Sequence, residues 1–170
     1  MNIFLRSTAI TLLSAISIHA VAASGVTVIS SKTEMSPGFH GGFITRDATL
    51  TANHYRTIGN AHAYAKANSA YGHKNENIRI TGDHAYIIEN RSGKPQYYDV
   101  EYRLMLADGR FIRRQDTVRI DNNSIAKANT SSYMTQLFPI AGNYHFAVET
   151  NIKGEYVDYA REGGDVTVNG

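Results

Sequence analysis

Cysteine and tryptophan are both absent from this 170-residue chain. Without cysteine no disulfide can stabilise the fold, and both thiol catalysis and zinc sites built on cysteine are excluded. A large excess of one charge is also missing, because the formal net charge is +2 and the basic residues are scattered among acidic ones. The charge distribution therefore gives no support to binding of nucleic acid or another polyanion.

Long hydrophobic runs are missing as well, apart from a short one near the start of the chain. Arg6 precedes an apolar stretch over residues 9–18, and small residues follow up to Ala22 and Ala23. This layout is typical of a secretory signal peptide, and the apolar stretch is shorter than the roughly 20 residues that span a bilayer. We therefore expect cleavage of residues 1–23, and a periplasmic or secreted mature protein that contacts a membrane at most peripherally, through partners.

An exported chain without cysteine indicates a bacterial envelope or secreted protein, since exported animal proteins usually carry disulfides. The roughly 147 residues left after cleavage suit one domain with a single core. The predicted organisation is a cleaved signal peptide (1–23), an N-terminal strand and glycine-rich loop (24–45), a β-sandwich domain (46–160), and a glycine-rich C-terminal tail with a short strand after a flexible double glycine (161–170).

The clearest strand signal is the stretch YYDVEYRLML, residues 97–106. Its even positions are apolar from Tyr98 onward, whereas its odd positions include Asp99, Glu101 and Arg103. Alternation with a period of two predicts a strand with one buried face and one polar face.

A hairpin is predicted after this strand, because the Asp-Gly pair at residues 108–109 tolerates the positive φ values of a two-residue type I′ turn. The resulting register would place Leu104 opposite Arg113, which is unfavourable. We therefore predict a β-bulge near Ile112 or Arg113. The bulge would pair Val100 with Val118, Tyr98 with Ile120, and Asp99 with Arg119.

A second period-two pattern lies at residues 61–68, where alanine alternates with larger polar residues. Alanine favours helix, but the alternation predicts a strand whose small-residue face allows another backbone layer to approach closely. Strand is the interpretation followed for residues 61–71, with helix as the alternative. Towards the C-terminus, residues 144–148 alternate in the same way, and Lys153-Gly154 predicts a hairpin.

Several short strands separated by glycine-containing turns predict an all-β protein, a single antiparallel β-sandwich or barrel. Residues 84–150 also resemble immunoglobulin-like domains. YIIENRSGKPQYYDVEYRLML is similar to two consecutive sandwich strands, and in SSYMTQLFPIAGNYHFAVE a Pro-x-x-Gly leads into Tyr-x-Phe-x-Val, as at the entry to a late strand. The chain departs from antibody-type domains in lacking their cysteines and tryptophan, so the resemblance implies an immunoglobulin-like architecture and no function.

No catalytic, cofactor-binding or metal-binding site is predicted. The sequence lacks HxH and HxxxH spacings of metal ligands, a GxSxG nucleophile elbow and the phosphate-binding glycine motifs. An enzyme, either metal-dependent or hydrolytic, stays open as an alternative if His62, His84 or His145 converges with a carboxylate, for example in a site assembled across strands from His62, His84 and an acidic residue.

Tyrosine supplies most of the aromatic side chains, and tyrosine interleaved with arginine is typical of protein contact surfaces, although it also suits carbohydrate stacking. The candidate contact surface consists of Tyr64, Tyr71, Tyr97, Asp99, Glu101, Arg103 and Arg119. The leading hypothesis is a non-catalytic structural or interaction subunit of a bacterial envelope assembly, such as a secretion apparatus or surface appendage, with envelope proteins or a second copy of the chain as partners. The alternative is a carbohydrate- or small-ligand-binding module, whose exposed tyrosines would converge on one concave patch.

Overall fold

The computed structural model describes residues 25–47 and 60–170, and these residues form ten β-strands in two sheets. The strands are β1 (Val26–Met35), β2 (Gly41–Asp47), β3 (Ala61–Asn68), β4 (Ala70–His73), β5 (Asn77–Asn90), β6 (Gln96–Leu106), β7 (Phe111–Ile120), β8 (Ser124–Leu137), β9 (Gly142–Lys153) and β10 (Asp158–Asn169). The six-stranded sheet has the order β1-β7-β6-β9-β10-β4, and the four-stranded sheet has the order β2-β8-β5-β3. The expected signal peptide lies outside the described residues.

The predicted β-sandwich is confirmed, and the strand distribution agrees with the immunoglobulin-like resemblance. β5 and β8 pair in one sheet, whereas β6, β9 and β10 are neighbours in the other. Immunoglobulin domains divide strands B and E from strands C, F and G in the same way. Among the described strands the pairings are antiparallel, except for that of β4 with β10, which is parallel. Within the described ranges, no helix has the length and hydrophobicity needed to cross a membrane.

Two hydrophobic clusters fill the space between the sheets, and Phe43 of β2 packs against both. β6 contributes to each of them, with Tyr98 and Tyr102 in one cluster and Leu104 in the other. The alternation predicted for this strand is confirmed, because its even residues from 98 to 106 are buried and its odd residues are not.

Charged side chains also lie inside the sandwich, on the inner face of β7. Arg114 and Asp116 are only 8% and 7% exposed, and Arg114 Nη2 lies 3.3 Å from Asp116 Oδ2. The guanidinium packs over the rings of Phe43 and Tyr102, 4.9 and 4.8 Å from their centroids. Ser31 Oγ donates to Asp116 Oδ1 at 2.5 Å. Ion pairing, hydrogen bonding and cation–π contact offset part of the hydration that both charges lose, and Arg114 Nε is buried without a hydrogen-bond partner among the described residues.

The predicted β-bulge between β6 and β7 is wrong, because the turn has a different length. The loop holds three residues, Ala107 to Gly109, and ends on Gly109 with φ of +89°, as in a type I turn followed by a left-handed glycine. One additional loop residue brings Leu104 opposite Ile112, so a regular ladder accommodates the apolar face. The observed partners are Tyr98 with Val118, Asp99 with Thr117, and Val100 with Asp116.

Residues 61–68 form a strand, as their alternation predicts. Ala65 and Ala67 of β3 pack against the core, where they face the other sheet. A Cβ atom placed on Gly164 of β10 would lie 2.9 Å from the Cβ of Ala67. The small side chains therefore allow the two backbones to approach closely, as expected.

The C-terminal segment differs from the prediction of a short strand after a flexible double glycine. β10 continues without a break through Gly163 and Gly164, because these residues pair with Ala147 and Phe146 of β9. The hairpin predicted at Lys153-Gly154 connects β9 and β10. The segment boundaries placed at residues 46 and 161 fall inside β2 and β10, and both strands belong to the sandwich sheets.

Candidate contact surface

A row of five charged side chains crosses the outer face of the six-stranded sheet. Each residue lies directly opposite the next across neighbouring strands. In order they are Glu34 of β1, Arg113 of β7, Arg103 of β6, Glu149 of β9 and Arg161 of β10, and we refer to them as the charged row. Each strand places an outward residue at the same level, so the side chains form one continuous line.

The centre of the charged row contains two arginines side by side, since Arg103 lies opposite Arg113. Glu101 lies next to them, with its Oε1 accepting from Arg103 Nη2 at 2.7 Å and its Oε2 3.3 Å from Arg113 Nη1. On the other side, Arg103 Nη1 donates to Glu149 Oε2 at 3.3 Å. These carboxylates offset the repulsion between the two guanidinium groups.

Both ends of the charged row carry further polar partners. Glu34 is paired with Arg113 and with Lys32, whose hydrogen bonds lower the pKa of the Glu34 carboxyl group. At the other end, Arg161 Nε lies 3.6 Å from Glu149 Oε1. Tyr159 is 51% exposed beside this pair, where partial burial and the Glu149 carboxylate raise its pKa. Paired charges of both signs therefore cover the sheet from edge strand β1 to β10.

Five residues of the sequence-predicted surface share this outer face: Tyr97, Asp99, Glu101, Arg103 and Arg119. Tyr97 is 57% exposed and lies opposite Arg119. Arg119 pairs with Asp121 at 2.7 Å, whereas Asp99 accepts a hydrogen bond from Thr117 at 2.7 Å. The expected pairing of Asp99 with Arg119 is therefore wrong, although both residues face outward as predicted.

The two remaining tyrosines lie elsewhere. Tyr71 is exposed on β4, at the edge of the six-stranded sheet furthest from β1. Tyr64 is exposed on β3, which belongs to the four-stranded sheet. The seven predicted residues therefore do not form a single surface.

Sequence analysis missed four members of the charged row: Glu34, Arg113, Glu149 and Arg161. Each occupies an alternating position that the sequence can assign to a strand face. Their alignment depends on the registers of five strands at once, and a one-residue error at the β6–β7 turn is enough to hide it.

The suggested site of His62, His84 and an acidic residue across strands is not assembled, whereas His145 lies 2.5 Å from the Asp165 carboxylate as an exposed pair between β9 and β10. His84 points to the interior, where Nδ1 lies 3.1 Å from Thr150 Oγ1 and Nε2 lies 2.8 Å from Ser132 Oγ. On the neighbouring strand β3, Ala65 lies opposite His84 and shares its inward direction. His62 is three residues away from Ala65, so its side chain faces the outer side of the sheet. In residues 25–47 and 60–170, no group of three or more His, Cys, Asp or Glu side chains is placed to hold a metal ion.

No protein-family model and no curated protein matches this chain. A solved structure with some similarity is a type I cohesin–dockerin complex from Clostridium thermocellum. The sequence identity is 6%, the match covers 67% of this chain and 99% of that chain, and the TM-score is 0.30. A likeness at this level carries no argument about the function of this chain.

Proposed function

We propose that this protein is a non-catalytic, exported structural or interaction subunit of a bacterial envelope assembly, and that it binds its partner through the outer face of the six-stranded sheet. The observation that carries the proposal is the charged row together with two exposed tyrosines on one side of it. Tyr159 lies level with Glu101, and Tyr97 lies four residues beyond Glu101 along β6. Arginine and tyrosine are enriched in protein contact surfaces relative to other exposed residues.

The geometry of the charged row favours a protein partner over a polyanion. With Glu101 included, it contains three arginines and three glutamates, so it has no net charge to attract a phosphate backbone. Its side chains are already held by ion pairs, which reduces the entropy lost when a partner orders them. A fixed pattern of positive and negative charges selects a surface with the complementary pattern, and this favours a specific partner.

The bacterial envelope is part of the proposal for reasons of composition. The N-terminal sequence has the layout of a secretory signal, and the chain has no cysteine with which to form disulfides after export. A partner in the same compartment would be an envelope protein or a second copy of the chain.

The first test is the native mass of the protein in a mild-detergent envelope extract from its own host, with mass-spectrometric identification of the co-migrating chains. We expect co-migration with a defined set of envelope proteins. Migration of the wild type as a lone monomer would contradict the proposal.

A pair of variants then tests the surface. Arg161→Glu combined with Tyr159→Ala should abolish co-migration, because both side chains are exposed at one end of the charged row. Lys127→Glu is the matched control, since it makes the same charge reversal on β8 of the other sheet. Retention of the complex by the first variant would contradict the assigned surface.

A further inference from the structure

A depression of about 540 Å³ lies on the four-stranded sheet, away from the charged row. Its lining includes two rows of three cross-strand neighbours. Tyr64, Ala85 and Asn129 form one row across β3, β5 and β8, and Lys66, Asp83 and Ser131 form the next. A row across three strands is about 10 Å long, and neighbouring rows lie about 7 Å apart along the strands. The area between the two rows is therefore about the size of a small ligand.

The depression has a shallow floor and raised walls. Ala85 and Asp83 are half-buried and Ser131 is buried, whereas Tyr64, Lys66 and Asn129 are exposed on both sides of them. The methyl side chain of Ala85 leaves space at the centre. Glu162, an exposed residue of β10, reaches the lining from the other sheet. The volume lies within the range of ordinary ligand pockets.

The floor is fixed by hydrogen bonds. Ser131 Oγ donates to Asp83 Oδ1 at 2.6 Å, and Asn68 Nδ2 donates to Asp83 Oδ2 at 3.0 Å. Behind the floor, Thr150 Oγ1 donates to the backbone carbonyl of Tyr64 at 2.7 Å and so anchors β3 to β9. A site held from below in this way is largely formed before a ligand arrives.

From this geometry we propose that the depression binds a neutral ligand rich in hydroxyl groups, namely a pyranose sugar. One face of a pyranose ring carries mainly C–H bonds, which pack against an aromatic ring such as that of Tyr64. Its hydroxyl groups both donate and accept, and the lining offers an amide, an ammonium group and carboxylates. Two carboxylates, Asp83 and Glu162, against one ammonium, Lys66, disfavour an anionic ligand.

This proposal is independent of the proposed envelope partner, because the depression and the charged row share no residue. Only one of the predicted tyrosines, Tyr64, lines it. The alternative drawn from the sequence requires several tyrosines on one concave patch. The depression instead has one aromatic ring, that of Tyr64, with polar neighbours.

The test uses the full mature chain labelled with ¹⁵N. Glucose, galactose, mannose and N-acetylglucosamine are titrated separately while amide chemical shifts are recorded. We expect at least one sugar to shift the amides of residues 64–66, 83–85 and 129–131 in a saturable way. Inorganic phosphate should leave them unchanged. Absence of saturable shifts there with all four sugars, or equal binding of phosphate, would overturn the proposal.

Variants locate the contact. Tyr64→Ala should weaken sugar binding by roughly ten-fold or more, because the stacking platform is lost. Tyr71→Ala is the matched control, since it removes an exposed tyrosine from the six-stranded sheet, and its affinity should equal that of the wild type. If Tyr64→Ala does not fold, Asn129→Leu replaces it and should also weaken binding. Unchanged sugar affinity in the folded variant would contradict the placement of the sugar in this depression.

Discussion

At the scale of single residues, His84 is a titratable side chain that is buried in the core. It is 2% exposed, and its ring meets that of Tyr102 edge-on at 5.5 Å between centroids. The Thr150 hydroxyl donates to the carbonyl of Tyr64, so its oxygen is left to accept a hydrogen bond from Nδ1–H of His84. In this tautomer Nε2 accepts a hydrogen bond from the Ser132 hydroxyl. A neutral imidazole is satisfied at both nitrogens, and burial lowers the pKa of His84 to about 4, with the nearby Arg114 acting in the same direction.

This depressed pKa predicts that the protein loses stability between pH 7 and pH 5. The unfolded chain protonates His84 near its ordinary pKa of 6.5, whereas the folded chain resists protonation down to about 4. Lowering the pH through this window therefore favours the unfolded state, by about 2 kcal/mol between pH 7 and pH 5. Urea unfolding of the wild type at the two pH values measures the loss.

His84→Gln should remove this component of the pH dependence, even though the substitution itself lowers the free energy of unfolding. Val100→Ala is the control, because it also lowers the free energy of unfolding but removes no titratable group, so the pH dependence should remain. Equal stability of the wild type at pH 7 and pH 5, or an unchanged loss in His84→Gln, would show that His84 is not the responsible group.

At the scale of strands, the adjacent glycines of β10 have opposite surroundings. A Cβ on Gly164 would lie 2.4 Å from Cζ of Phe146, which is itself buried, whereas a Cβ on Gly163 would meet nothing nearer than the Phe146 carbonyl oxygen at 3.9 Å. Gly164→Ala should therefore destabilise the protein by about 1–3 kcal/mol through overpacking between β10 and β3.

Gly163→Ala provides the comparison within the same strand. It adds the same methyl group to the outer face, so its effect should stay within about 0.5 kcal/mol. Chemical denaturation of the two variants beside the wild type gives both values. Similar effects of the two substitutions would mean that β10 does not pack flush on β3.

The strands also show which parts of the fold can be predicted from sequence. The alternation in β6 and the alanine period in β3 are local properties, and both strand assignments are confirmed. The predicted length of the turn after β6 is wrong, since an Asp-Gly pair suits two-residue and three-residue loops alike. Arg114 and Asp116 alternate in phase with the apolar residues of β7, but their charge argues against burial unless their aromatic and ionic partners are known.

The two candidate sites could not be predicted for a related reason. The charged row needs five strands in register, and the depression needs three more, so their residues come from distant parts of the chain. Residues 97–103 of the predicted contact surface were found because they follow one another along a single strand. Glu34 and Arg161 align with them only through pairing.

At the scale of the whole molecule, the two hydrophobic clusters share five strands, β5 to β9. β6 supplies Val100 to one cluster and Leu104 to the other, and Phe43 packs against both. Neither cluster can open without removing strands from its neighbour, so we predict a single cooperative unfolding transition. Far-UV circular dichroism, which follows the strands, and near-UV dichroism of the tyrosines should give the same urea midpoint.

Substitutions in the two clusters provide the decisive comparison. Leu104→Ala should lower the free energy of unfolding by about 2–5 kcal/mol, because the side chain is fully buried. Val100→Ala, in the other cluster, should be smaller because fewer methyl groups are removed. Each variant should shift both spectroscopic midpoints together, since each acts on one cooperative unit. If one substitution moved only one of the two signals, the clusters would be separate folding units and the strands they share would not couple them.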